Sequence, residues 1–257
     1  PEADFTTRIP GQHIRSVRRR GKHLLFDLES DCLLVHLGMT GQMTFWDQNA
    51  SDASSFYVSP TTGLQRTRQH AVDKHTHLSF WFADGNAMHY RDIRQFGKIR
   101  LFPLGEESRN PPISNLGPEP LEPGFTFDDF SAALKRTKRS IKAALLDQGI
   151  VAGLGNIYVD EALFVAKLRP TWLCSALTTR EKRALFEAIP QVLEQGIRFN
   201  GTSLRDYVNS EGERGSNQEM LWVYGRYGEA CRVCGDTIVR ATVAQRTSSY
   251  CPTCQSR

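Results

Sequence analysis

Cys231-Arg-Val-Cys-Gly-Asp-Thr-Ile-Val-Arg-Ala-Thr-Val-Ala-Gln-Arg-Thr-Ser-Ser-Tyr-Cys-Pro-Thr-Cys254 holds two Cys-x-x-Cys pairs, 16 residues apart. Each pair folds two thiolates toward one point, and the spacing fits a four-thiolate zinc ion. Closure by four sulfurs leaves no open position, so the ion is structural rather than catalytic. Its binding free energy, about 10–16 kcal/mol in small finger peptides, can order a segment with few apolar residues. Two disulfides are the alternative, which a reducing compartment disfavours. The hairpin between the pairs carries Arg240, Gln245 and Arg246. An arginine on a zinc-stapled hairpin suits a phosphate or a groove, although such residues also read as solvated turn residues.

Working back from the finger, the preceding hundred or so residues read as helical. Gly149-Ile-Val-Ala-Gly153-Leu-Gly155-Asn156 joins two helices. It lacks the Gly-Lys-Ser/Thr of a nucleotide-hydrolase loop, and a helix rather than a strand precedes it, which excludes a dinucleotide fingerprint. Backbone amides at such a turn can bind an anion, and a plain helical corner is the bland alternative. Asn156 is expected to cap a helix running to Ala166. Ser140 caps another through Gln148, with Gly149 at its C-terminal stop. Thr126 to Arg139 is amphipathic. Thr178-Thr-Arg-Glu181 is a capping box for a longer helix to Gly196, which Pro190 is expected to kink.

The first half reads as β structure. His23–Leu28, Cys32–Leu37, Gln42–Trp46, Thr76–Phe82, Asn86–Tyr90 and Lys98–Phe102 are short apolar or alternating runs, and Asp84-Gly85 is a hairpin signal. The polar stretch from Asp47 to Lys74 reads as an exposed excursion. Prolines 103, 111, 112, 118, 120 and 123 mark a linker. The expected fold is α+β in two domains: a β-sandwich over 1–108, a linker over 109–125, a helical domain over 126–225, and the finger over 226–257.

With 40% hydrophobic and 23% charged residues among 257, the chain is not disordered by composition. No apolar run nears the ~18 residues of a membrane span, and Pro1 to Arg8 lack the apolar block of a signal peptide. A soluble, intracellular protein without a membrane partner is expected. Cys32 and Cys174 stand alone in apolar surroundings. Lysines and arginines exceed acids by 32 − 28, giving +4. Basic clusters at Arg15–Lys22, Arg91–Arg100 and Lys135–Lys142, with the finger and the glycine turn, favour nucleic acid as partner.

Arg19-Arg-Gly-Lys22, His36-Leu-Gly-Met-Thr-Gly41, Asp92-Ile-Arg-Gln-Phe-Gly97, Leu116-Gly-Pro-Glu-Pro-Leu121, Ile141-Lys142, Leu145-Leu-Asp-Gln148, Val151-Ala-Gly-Leu-Gly-Asn-Ile-Tyr-Val-Asp-Glu161, Val223-Tyr-Gly-Arg226 and the finger follow one another in order. From about Gly11 onward the chain resembles the formamidopyrimidine-DNA glycosylases, bacterial enzymes that excise oxidised purines such as 8-oxoguanine. The resemblance implies a β-sandwich, then a helix–two-turns–helix domain with its zinc finger, and damaged double-stranded DNA in the cleft between. It further implies one structural Zn²⁺ and a monomer in the bacterial cytoplasm.

The resemblance makes Pro1 the nucleophile. A terminal secondary amine titrates near the α-amino range of about 7.7–8.0, so a useful fraction is neutral at pH 7. Its attack on the sugar C1′ expels the base and gives an iminium, and β- and δ-elimination then cut the strand. By the same resemblance Glu2 is the general acid/base, and Lys22 and Arg246 complete the catalytic set, Lys22 at the damaged nucleotide and Arg246 on a phosphate. His36, Lys142 and Asn156 bind phosphates near the lesion, and Glu161 lies near the sugar. Met39, Arg94 and Phe96 fill the space left by the extruded base.

The match has departures. Glu2 is followed directly by Ala3-Asp-Phe-Thr-Thr-Arg8, which resembles a region well downstream in the family, so a block of residues is expected to be missing between Glu2 and Ala3. Glu211 to Gln218, matching the loop over the flipped base, lacks an aromatic pair, and the excursion from Ala50 to Val72 is long. Two rival readings are an oxidised-pyrimidine glycosylase of the endonuclease-eight class and a catalytically silent DNA-binding protein of the same fold.

Overall fold

The apolar runs of the first half become strands. In the computed structural model, which describes residues 2–46, 64–67, 72–202 and 215–256, α1 (Glu2–Arg8) leads into β1 (Ser16–Arg20), β2 (His23–Asp27), β3 (Asp31–His36) and β4 (Gly41–Trp46). Next come β5 (Leu64–Thr67), β6 (Thr76–Trp81), β7 (Ala87–Asp92) and β8 (Lys98–Pro103). Two four-stranded sheets result, ordered β1-β2-β3-β8 and β5-β4-β7-β6, with β5 parallel to β4. Phe26, Leu33 and Val35 of one sheet meet Met43, Met88 and Tyr90 of the other in a single buried cluster, with Phe5 and Ile9 packed against it. That arrangement is the expected sandwich. An apolar cavity of about 380 Å³ lies beside the cluster, lined among others by Phe5, Ile9, Phe26, Leu33, Phe80 and Met88.

β1 is a correction to the reading of Arg15–Lys22 as only a basic cluster. Ser16–Arg20 is an edge strand that pairs antiparallel with β2. Arg18 donates from Nη2 to Glu107 at 2.6 Å and clasps Asp27 through Nε and Nη2, so this cation is committed within the sandwich.

The helical half forms α2 (Phe127–Lys135), α3 (Ile141–Leu145), α4 (Asn156–Val165) and α5 (Thr179–Arg198). Thr126 and Ser140 cap α2 and α3 by accepting from Asp129 N and Ala143 N, and the Thr178–Glu181 capping box is complete. α2 and α3 are shorter than expected because side chains take over the backbone groups beyond them. Thr137 Oγ1 accepts from Arg139 N at 3.2 Å, and Asp147 Oδ1 accepts from Gly149 N at 2.9 Å. α5 continues through Pro190 to Arg198. Leu134, Ile141, Leu145, Leu163, Leu185 and Ile189 share this core. The finger is the hairpin of β9 (Val239–Val243) and β10 (Arg246–Tyr250). Phe164, Val223, Ile238 and Cys251 form a small core that ties it to α4.

By contacts the chain divides into Pro1–Ser114 with Asn200–Gly215, and Asn115–Phe199 with Ser216–Arg257. Pro1, most of the excursion (47–63 and 68–71) and the loop at 203–214 lie outside the described residues.

Candidate functional site

Two turns of the sandwich carry the expected space-filling trio. One follows β3 and holds Met39, with Gly38 at φ +65°. The other follows β7 and holds Arg94 and Phe96 around Gln95, whose φ is +57°. Arg94 Nη1 donates to Met39 Sδ at 3.4 Å, and its guanidinium carbon lies 4.8 Å from the Phe96 ring centre. Met39 and Phe96 are 69% and 53% exposed. Read alone, either would pass for a core residue; here both stand in solvent beside a cation, an arrangement that a packed core does not need.

Lys22 is exposed in the turn between β1 and β2. His36, half-buried at the end of β3, accepts from Gly38 N through Nδ1 at 3.2 Å. Burial, then the charges of Lys22 and Lys98, lowers its pKa. The ring is therefore neutral at pH 7, and the acceptor role of Nδ1 leaves its proton on Nε2, free to donate to an anion. Glu2 opens α1.

In the helical half, α4 begins at the glycine turn. Gly155, not Asn156, is its N-cap, and no side chain caps it. Asn156 is the first helical residue; its Nδ2 donates to Thr247 O at 2.9 Å, while its buried Oδ1 has no hydrogen-bond partner. The first-turn N–H groups of such a helix lack intrahelical acceptors and suit an anion. Thr247 follows Arg246, which is exposed at the start of β10. The turn before it, Ala244-Gln245, has φ of 51° and 58°, the paired positive φ of a two-residue type I′ hairpin.

Lys142 requires a correction. It was expected at a phosphate, but it is 0% exposed: Nζ donates to Asp160 Oδ1 at 2.8 Å and Thr247 O at 3.0 Å. Asp160 also accepts from Ser248 Oγ at 2.6 Å and Ser249 N at 2.9 Å. Burial lowers the pKa of Lys142 and raises that of Asp160, and their mutual attraction opposes both shifts. The pair seats the finger hairpin on α4, so Lys142 acts through the position of its neighbours. Asp160 escaped the sequence reading. Its signal was a second acid beside Glu161 in the otherwise apolar Val159–Phe164.

Glu161 requires the same correction. It is 2% exposed, and its carboxylate accepts from Trp222 N, Val223 N and Tyr224 N at 2.7, 3.0 and 2.9 Å. Burial still raises its pKa. Its oxygens hold the segment leading into the finger rather than a sugar.

Cys231, Cys234, Cys251 and Cys254 bring their sulfurs within 4.8 Å of one another. Two of the separations are 3.9 Å (Cys231 to Cys254) and 3.4 Å (Cys234 to Cys251). A tetrahedron with Zn–S near 2.3 Å has edges of about 3.8 Å, whereas a disulfide needs about 2.05 Å. The four thiols fit one structural zinc.

A β-sandwich, a helical domain with a glycine turn at a helix start and a four-thiolate finger define a class of zinc-finger DNA-repair glycosylase. The formamidopyrimidine-DNA glycosylase N-terminal domain matches residues 1–99, its H2TH domain matches 116–208, and the zinc finger found in FPG and IleRS matches 228–257. Formamidopyrimidine-DNA glycosylases of Oceanobacillus iheyensis and Halalkalibacterium halodurans are 41% and 42% identical over 98% of this chain, which covers 83% and 84% of their lengths. A complex of Lactococcus lactis Fpg with abasic-site DNA superposes with TM-score 0.84 at 32% identity, covering 99% of this chain and 86% of that one. MutM (Fpg) of Thermus thermophilus gives 0.80 at 38% identity, covering 96% and 84%. The chain belongs to the formamidopyrimidine-DNA glycosylase family.

Proposed function

We propose that this chain excises oxidised purines from double-stranded DNA and cuts the strand at the abasic site, with Pro1 as nucleophile. The neutral Pro1 nitrogen attacks C1′ of the damaged nucleotide and the C1′–N bond of the base breaks. The attacking nitrogen then loses its proton, and Glu2 protonates O4′ as the C1′–O4′ bond opens, which leaves a C1′=N iminium. The resulting iminium is the electron sink for β- and then δ-elimination, which release the 3′- and 5′-phosphates. Lys22 and the Nε2–H of neutral His36 hold the damaged strand from the sandwich. Arg246, Asn156 and the first turn of α4 hold phosphates from the helical half.

The observation that carries this reading is the exposed Met39–Arg94–Phe96 assembly. Thioether and phenyl ring suit wedging into a base stack, and the guanidinium suits the acceptors of an orphaned cytosine. Borohydride trapping is the test. Incubated with a duplex holding 8-oxoguanine opposite cytosine, the protein becomes covalently joined to DNA, whereas protein whose terminal nitrogen is acetylated loses the adduct and keeps most of its DNA affinity. Trapping that survives acetylation of the terminal nitrogen would remove Pro1 from the chemistry, and faster trapping on a thymine-glycol duplex would move the substrate to oxidised pyrimidines.

A further inference from the structure

Asp92 closes β7 two residues ahead of Arg94 and is 0% exposed. Its carboxylate gathers donors from both turns of the trio. Oδ1 accepts from Thr40 Oγ1 at 2.6 Å and from Arg94 N at 3.2 Å; Oδ2 accepts from Gly97 N at 2.8 Å and Tyr90 OH at 3.0 Å. Thr40, the neighbour of Met39, also accepts from Arg94 N through its hydroxyl at 3.1 Å. Burial alone would raise the Asp92 pKa, but these donors outweigh it and hold it below the ordinary carboxylate range. The group stays charged, and hydrogen bonds to a charged acceptor are the strong ones.

The backbones leave no slack around it. A Cβ on Gly38 would meet Gly97 N at 2.8 Å, and one on Gly97 would meet Tyr90 OH at 1.8 Å and His36 O at 2.9 Å. The Met39 turn and the Arg94–Phe96 turn are in direct contact, with one buried charge bonded to both.

We propose that Asp92 is the positioning residue for base extrusion: it locks the two turns together so that Met39, Arg94 and Phe96 enter the duplex as one preformed wedge. The inference rests on the role given to that trio above. Asp92 is buried and touches no DNA; it acts through the three side chains it aligns. A wedge assembled before binding spends none of its binding energy on ordering two turns. Asn in its place keeps the shape, but its amide turns a donor toward either Arg94 N and Thr40 or Gly97 N and Tyr90, so either the Thr40 hydroxyl or the Gly97 N–H loses its acceptor.

Two substrates separate positioning from folding. Release of 8-oxoguanine from a duplex needs the wedge. Cleavage at a preformed abasic site in a single-stranded oligonucleotide has no stack to refill and no orphaned base. Asp92→Asn is expected to slow the duplex reaction about tenfold or more and to change the single-strand reaction by less than about twofold. Thr40→Val should show the same selectivity with a smaller factor, and Thr40→Ser should restore the parent rate. Selective loss in either Asp92→Asn or Thr40→Val supports the proposal. Equal loss on both substrates in both variants, or no duplex loss in either, overturns it. Phe96→Ala separates the two readings: if it shows no duplex-selective loss, the wedge role falls and the role of Asp92 with it. If Phe96→Ala is selective and the other two variants are not, the proposal for Asp92 alone fails.

Discussion

His23 faces His36 across the β2–β3 pair, with ring centres 4.8 Å apart. Burial first, and then the charges of His36, Lys22 and Arg100, lowers the His23 pKa to about 4. An unfolded histidine titrates near about 6.5. Because the folded value is the lower one, this stabilisation is complete above about pH 6.5 and is lost as pH falls toward 4, at most about 3 kcal/mol. Melting curves at pH 7 and pH 4.5 should therefore fall further apart for the parent than for His23→Gln; equal drops would mean that other groups govern acid sensitivity. The Lys142–Asp160 pair makes a second prediction. Lys142→Met strands the buried Asp160 charge and should cost about 3–5 kcal/mol in urea unfolding. Neither burial was legible in sequence. A lysine and two acids on helices carry no local sign of burial, because the finger hairpin and the segment ahead of it cover them, and only the packing of elements distant in the chain puts those there.

At the scale of elements, legibility followed the strength of local chemistry. Six strands lay in apolar runs bounded by turn residues, and Thr126, Ser140 and Thr178 marked three helix starts because their hydroxyls accept from the first turn. β1 was hidden because Val17 stands among arginines, and its place depends on pairing with β2. The α4 start was displaced by one residue, since the Asn156 amide is drawn to Thr247 instead of its own helix. The finger turn carried no signal either: Ala244 and Gln245 take positive φ where Asn-Gly would be usual, so the hairpin is imposed by its flanks. The thiols of Cys231 and Cys251 lie in the small core that holds Phe164 and Ile238. Zinc should therefore be present at one ion per chain, and a chelator strong enough to remove it should release the hairpin and abolish binding to abasic-site DNA. The unfolding transition of the sandwich should be unchanged. Binding that persists in zinc-free protein would show that the apolar contacts of the finger suffice to hold it.

Across the whole molecule the net charge is only +4, so long-range attraction to DNA is weak and local placement of cations must decide affinity. Basic residues from three parts of the chain have different fates. Arg18 is bound to Asp27 and Glu107, and Lys142 to Asp160, whereas Arg246 stands exposed on the finger. Salt dependence distinguishes these fates, because each phosphate neutralised adds about 0.9 to the slope of log affinity against log salt. Arg246→Ala should flatten that slope by about 0.9 and weaken binding at every sequence to a similar degree. Lys142→Met should weaken binding as well, since the Thr247 carbonyl, which also holds Asn156, loses one of its two donors, yet leave the slope of the parent intact, because the Nζ is buried against Asp160. Titrations of abasic-site DNA at several salt concentrations measure both at once. A flattened slope for Lys142→Met would mean that the buried ammonium is drawn out to the DNA on binding, and the corrected role of Lys142 would then have to be abandoned.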